Sequence, residues 1–198
     1  MLKNSKTIYL ILFLKYIFLL QFTPELESER FYDFYNYCSQ ICLDPYFNIQ
    51  FLPNSDLSFP YGYIMYYFLT PFFIVGKQLS VSFTILSFIF VELISLNILK
   101  KFFDVSLDSL FFPVILNPII IYGVAVKGYL DFIPLLFLIM FLHNFKKKKY
   151  FYSVICLALG IGTKIVFAII LPLLLIFIFV NLSNRKKVQN LTILSFQQ

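Results

Sequence analysis

Metal-ligating and redox-active side chains are scarce in this sequence: one histidine and three cysteines in 198 residues, with no spacing that closes a metal site. Cys38 and Cys42 stand at i and i+4 in a polar stretch, a marginal disulfide separation on a helix, so they read as two small interior residues. Charge is scarce as well, at 13% of residues, and the cations are knotted between apolar runs at Lys100 and Lys101, Lys146 to Lys149, and Arg185 to Lys187. A nucleic-acid footprint would need a basic face, and these knots match instead the lysine and arginine bias of cytoplasmic loops, so no nucleic-acid partner is expected. The first apolar run has no small-residue cleavage site and contains Lys15, which favours a retained anchor over a removed signal.

What is abundant is apolar surface. Hydrophobic residues make up 60% of the chain, more than a soluble domain of this size can bury. The runs approach the roughly 20 residues that a bilayer helix needs. They predict an all-α polytopic transmembrane bundle of about six spanning helices plus one interfacial or re-entrant helix. Its parts are a first helix at 7–22, an outer loop at 23–60, an interfacial helix at 61–75, further helices at 79–99, 107–126, 129–145, 150–164 and 165–181, and a polar cytoplasmic tail at 182–198, all in one membrane domain.

Charge parity chooses among topologies. With the N-terminus inside, residues 23–60 lie outside and carry Glu25, Glu27, Glu29, Asp33, Asp44 and Asp56 against Arg30 alone. If both 61–75 and 79–99 crossed, every later lysine knot would land outside. If 61–75 lies flat, all of them fall inside, and Tyr61, Tyr63, Tyr66 and Tyr67, framed by Pro60 and Pro71, suit headgroup depth. The polar outer loop, the turn Lys127-Gly128-Tyr129-Leu130-Asp131 and Lys164 then share one face. The expected location is an integral membrane, either the plasma membrane of a prokaryote or the endoplasmic reticulum of a eukaryote.

Several patterns on that face occur in a familiar order: Tyr32-Asp33-Phe34-Tyr35, Asp44-Pro45-Tyr46, Phe59-Pro60-Tyr61-Gly62-Tyr63, Leu69-Thr70-Pro71, Leu116-Asn117-Pro118, Lys127-Gly128 with Asp131, and Lys164 before Leu171-Pro172. Together they resemble the GT-C superfamily of polytopic glycosyltransferases, in particular the mannosyltransferases of glycolipid-anchor synthesis and their bacterial relatives. The resemblance implies a polyprenyl-phosphate-linked sugar donor, a lipid or glycan acceptor and contact with membrane lipids. Phe31 stands where an acid-x-acid signature would place a second carboxylate, so a divalent metal is not implied by a ligand pair. Family members also continue through further membrane helices, and the chain is expected to be a truncated module.

Transfer from a phosphate leaving group needs a base for the acceptor hydroxyl and cations for the departing phosphate. Asp33 is the candidate base, Lys127 and Lys164 the candidate phosphate-holding cations, and Asp131, Tyr35 and Asn117 supporting residues. The plain alternatives are a solvated loop aspartate, lysines snorkelling at helix ends, an acid near a helix start and a proline kink after Asn117. Glu92, deep in an apolar run, must face inward and reads as a structural polar contact. His143 reads as a polar flank and Gly160 and Gly162 as helix-packing residues. The competing function is a transporter or non-catalytic membrane subunit using Lys15, Glu92 and Lys164 as buried charges, although no inverted repeat of broken helices is visible.

Overall fold

The computed structural model describes residues 5–27, 31–41, 61–169 and 171–172. Asp44-Pro45-Tyr46, Phe59 and Pro60, the knot Arg185 to Lys187 and the tail 182–198 therefore lie outside the described residues, as does most of the expected helix 165–181. All regular structure among the described residues is helical.

Seven α-helices follow in order within a unit that ends at Lys164: α1 Ser5–Leu19, α2 Tyr32–Ile41, α3 Tyr63–Leu79, α4 Phe83–Phe103, α5 Pro118–Ala125, α6 Phe132–Lys146 and α7 Tyr150–Thr163. In the second unit, which starts at Ile165, a short 3-10 helix occupies Ile165–Ile169. Among the described residues α4 alone is long and apolar enough to cross a bilayer by itself. The expected span 107–126 is instead a pair, Leu107–Ile115 and Pro118–Ala125, bent by 52°, and α6 and α7 are apolar but shorter. The runs are apolar throughout, but caps and breaks within them divide the backbone.

Those caps are local chemistry. Pro118 has no amide hydrogen to give, so it sits in the first turn of α5, where none is needed, and Asn117 caps the helix by accepting from the Ile119 and Ile120 amides at 3.0 and 3.4 Å. Ser82 opens α4 by accepting from the Ile85 amide at 3.1 Å, and Lys100 and Lys101 fall in its last turn, at the negative end of the helix dipole. A helix absent from the sequence expectation, α2, forms inside the 23–60 segment because Phe34 and Tyr35 gain burial against α3 and α4.

Packing fixes the directions. α1 and α4 are antiparallel, since Leu19 joins Ile85 and Phe88 in one cluster while Ile8 and Leu12 join Leu96 in another. α4 and α6 are parallel: Phe88 meets Phe132 at 5.4 Å between ring centroids near one end, and Lys146 Nζ donates to the Phe102 carbonyl at 2.5 Å near the other. α7 returns against α6, with Gly160 on Phe137. The bundle thus has an upper end, where Leu19, Phe83, Asp131 and Thr163 gather, and a lower end holding Phe103, the lysines 146–149 and Tyr150.

α3 breaks the alternation. Its N-cap Gly62 donates its amide to the Thr163 carbonyl at 2.9 Å, and the turn that ends it leads directly into Ser82 at the start of α4. Both ends of α3 therefore lie at the upper end, and its middle rests on Phe90 of α4 and Phe137 of α6 through Phe68 and Phe72. The helix runs to Leu79, past the expected end at Val75. The tyrosines read as surface aromatics divide: Tyr63 and Tyr67 are exposed, whereas Tyr61 and Tyr66 are buried, Tyr66 stacking on Tyr35 at 5.1 Å.

Candidate functional site

The upper end collects the polar chemistry, and a strap from 23 to 27 organises it. After α1 the chain crosses the turn between α5 and α6, with the Glu25 amide donating to the Val126 carbonyl at 2.9 Å and the Leu26 amide to Lys127 at 3.3 Å. Gly128 makes that crossing possible, because its φ of +74° suits glycine and a Cβ there would stand 2.9 Å from Pro24 Cβ. The strap ends on Glu27, which is buried and caps α4 from outside that helix. Its Oε2 accepts from Ser82 Oγ at 2.5 Å and the Thr84 amide at 2.9 Å, and its Oε1 from the Phe83 amide at 3.2 Å. Negative charge at a helix N-terminus is favourable, and removing such a buried acceptor leaves amides unsatisfied at a cost of about 1–3 kcal/mol.

With the strap fixed, Glu25 faces Lys127, whose Nζ donates to Glu25 Oε2 at 2.5 Å. Hydrogen bonding to that carboxylate, then its charge, hold the Lys127 ammonium above the ordinary lysine range. Both side chains are exposed.

On the far side of the same turn Lys164 pairs with Asp131. α7 stops there: the Thr163 hydroxyl donates to the Gly160 carbonyl at 2.6 Å, and Lys164 takes an extended backbone. Gly62 lies so close to Gly162 that a Cβ would collide with the Gly162 carbonyl. A proline in place of Gly62 would also remove the amide that bonds Thr163. The Lys164 ammonium sits 5.5 Å over the Tyr61 ring. Burial, followed by the Asp131 charge, pushes the Tyr61 phenol up to about 12.

The sequence candidates are thus only partly assembled. Asp131 pairs with Lys164, one of the two candidate phosphate-holding lysines, and Lys127 joins Glu25. Asp33 lies in the first turn of α2 with an exposed side chain, and no hydrogen bond or ion pair reaches it among the described residues. A chain of ring contacts, Phe31 on Tyr61 at 6.1 Å and Tyr61 beneath Lys164, connects the start of α2 to the Asp131 pair, but the Asp33 carboxylate is not part of it. Two supporting residues lie apart from the upper pairs. Tyr35 is buried and donates its hydroxyl to the Tyr66 carbonyl at 3.1 Å, so it packs the interior and is not open to a sugar. Asn117 caps α5 at the break and also donates to the Pro113 carbonyl at 3.2 Å; it does not join the upper pairs.

Glu92, for which the sequence names no partner, has one in the structure. Lys15 Nζ donates to both carboxylate oxygens of Glu92, at 2.6 and 2.8 Å, and lies 5.2 Å over the Phe88 ring. Lys15 is 8% exposed and Glu92 4%, so the pair is interior. The opposite signs deep in two apolar runs were a readable signal. Their pairing needed α1 against α4, which composition does not disclose. Glu25 and Glu27 were visible only as members of an acidic segment. Among the described residues no group of three or more His, Cys, Asp or Glu side chains could hold a metal ion.

No protein-family model, curated protein or solved structure matches the chain.

Proposed function

We propose that the chain is a multi-pass membrane protein whose upper face transfers a sugar from a polyprenyl-phosphate-linked donor to a lipid or glycan acceptor. The observation that supports this most is the division of charge along the bundle: lysine knots at the lower end, and two separate carboxylate–lysine pairs around one glycine turn at the upper end. In this reading α3 lies along the outer interface, because both its ends belong to the upper end. Glu25 and Asp131 occupy the places that phosphate oxygens would take on Lys127 and Lys164, so an arriving phosphate exchanges one anion for another and no charged site has to be stripped bare. Asp33, exposed beside that face, takes the acceptor hydroxyl proton as the hydroxyl attacks the anomeric carbon and the lipid phosphate departs with the bonding pair.

The test is Asp33→Asn in vesicles supplied with a polyprenyl-phosphate sugar. Transfer should disappear while membrane insertion is unchanged, and undiminished transfer rejects the role. A second reading, a transporter or non-catalytic subunit, is favoured by the buried Lys15–Glu92 pair and by the separation of Asp33 from both lysine pairs. Solute flux through proteoliposomes that depends on Glu92 would select it.

A further inference from the structure

We propose that the slot between α4, α5 and α6 binds one acyl chain of an anionic membrane phospholipid, with the phosphate held at the upper end beside Lys164. The slot encloses about 320 Å3, at the small end of ligand sites. Its α4 wall runs from Phe88 to Leu99, about 17 Å at the helical rise, so it is long for its volume. The lining is overwhelmingly apolar. The acidic side chains on it are Glu92 partway down and Asp131 beside Tyr129 at the mouth. Glu92 is already neutralised from α1 by Lys15, which contacts both its oxygens, and offers no free charge to an occupant. At the mouth Asp131 shares its charge with Lys164.

A polar solute would find few partners along such a wall, Ser95 and the paired Glu92 being the polar side chains between the mouth and Leu99, whereas a long hydrocarbon would meet mostly apolar surface. An anionic group at the mouth can replace Asp131 on Lys164, which gives the occupant a charged head and an apolar tail in one orientation. The inference rests on the membrane reading of the bundle and does not require glycosyl transfer, although it shares Lys164 with the proposed donor site, where the two phosphates would compete.

The test is photolabelling of the full chain in nanodiscs with a single-chain phosphatidic acid carrying a diazirine at the tail end. Label should appear on the α4 peptide around Ser95 to Leu99 and on α6 near Ile139. It should fall about tenfold in Ser95→Phe and in Leu135→Trp, and Lys164→Gln should weaken labelling by this probe but not by one with a phosphocholine head. Ser95 is buried and its variant can misfold, which circular dichroism detects; Leu135 is half-exposed, so its variant tests the slot without that risk. Label spread equally over exposed Phe13, Phe18, Phe151 and Val154 in the wild type and in both filled variants would overturn the proposal. Asp33→Asn should label like the wild type, so loss of transfer with retained label and loss of label with retained transfer identify different failures.

Discussion

The two ends of the bundle hold their cations in different ways. At the lower end Lys146 gives its ammonium to the Phe102 carbonyl and the ring of the same residue, 4.9 Å away, while neighbouring lysines crowd without a carboxylate ion pair among the described residues. At the upper end Lys127 and Lys164 each face their own carboxylate. A crowd of like charge is stable where water and helix C-termini share it, and it orients a helix without any fixed geometry. Discrete pairs around a glycine turn fix positions, which recognition requires. Under the proposed membrane function, the lower end would serve to orient the chain and the upper end to bind.

Between them lies the pair that should matter most to stability. Lys15→Met or Glu92→Leu alone leaves a buried charge unpaired and should cost about 3–5 kcal/mol, whereas the double variant should recover most of that loss. Thermal unfolding in detergent, compared across the four proteins, checks this; additive losses would show that the two side chains do not act together. Next comes the strap. Glu27→Ala should cost about 1–3 kcal/mol by uncapping α4, and it should also weaken phosphate-dependent activity, because the strap whose amides bond the Val126 and Lys127 carbonyls then no longer holds the turn that carries Lys127. A stable variant with unaltered activity would separate the strap from the site.

The smallest stability effect is expected where function is placed. Glu25→Gln should leave the unfolding midpoint nearly unchanged, since the pair is exposed, yet it should strengthen binding of an anionic headgroup by freeing Lys127. Weaker binding would make Glu25 a ligand-side group instead of a stand-in. Tyr61 gives a pH check on the other pair. Its phenol titrates at about 12 in the fold but near 10 in an unfolded chain, so protons bind the folded state more tightly across that window and stability should fall as pH rises from about 10 to about 12. Phenolate absorbance in Tyr61→Phe, compared with the wild type, should lose amplitude near pH 12.

Sequence patterning singled out Lys127, Asp131 and Lys164, which gather at one end of the bundle, and it made the helices and the break at Pro118 legible, because these depend on local composition. It did not make their lengths legible: Asn117 before Pro118 is a helix-start signal, and reading it only as a kink hid two short helices in one expected span. Helix α2 escaped because its aromatic face is short and set among polar residues, so burial against α3 decides it and not periodicity. Tyr35 looked like a site residue by its nearness to Asp33, but positions two apart on a helix point about 200° apart around its axis, and one faces the core while the other faces out. The Lys15–Glu92 pair and the Glu27 cap join residues distant in sequence, and no local pattern encodes such contacts.

The claim that the upper and lower ends face opposite sides, with α3 lying along one of them, is tested most directly by side-specific labelling. Gln78→Cys, Lys127→Cys and Lys147→Cys, each placed in a chain with Cys38, Cys42 and Cys156 replaced by alanine, can be exposed to a membrane-impermeant maleimide in sealed vesicles of known orientation. Gln78 and Lys127 should react from one side and Lys147 from the other only. Reaction of Gln78 together with Lys147, on the side opposite Lys127, would mean that α3 crosses the membrane and would contradict the arrangement.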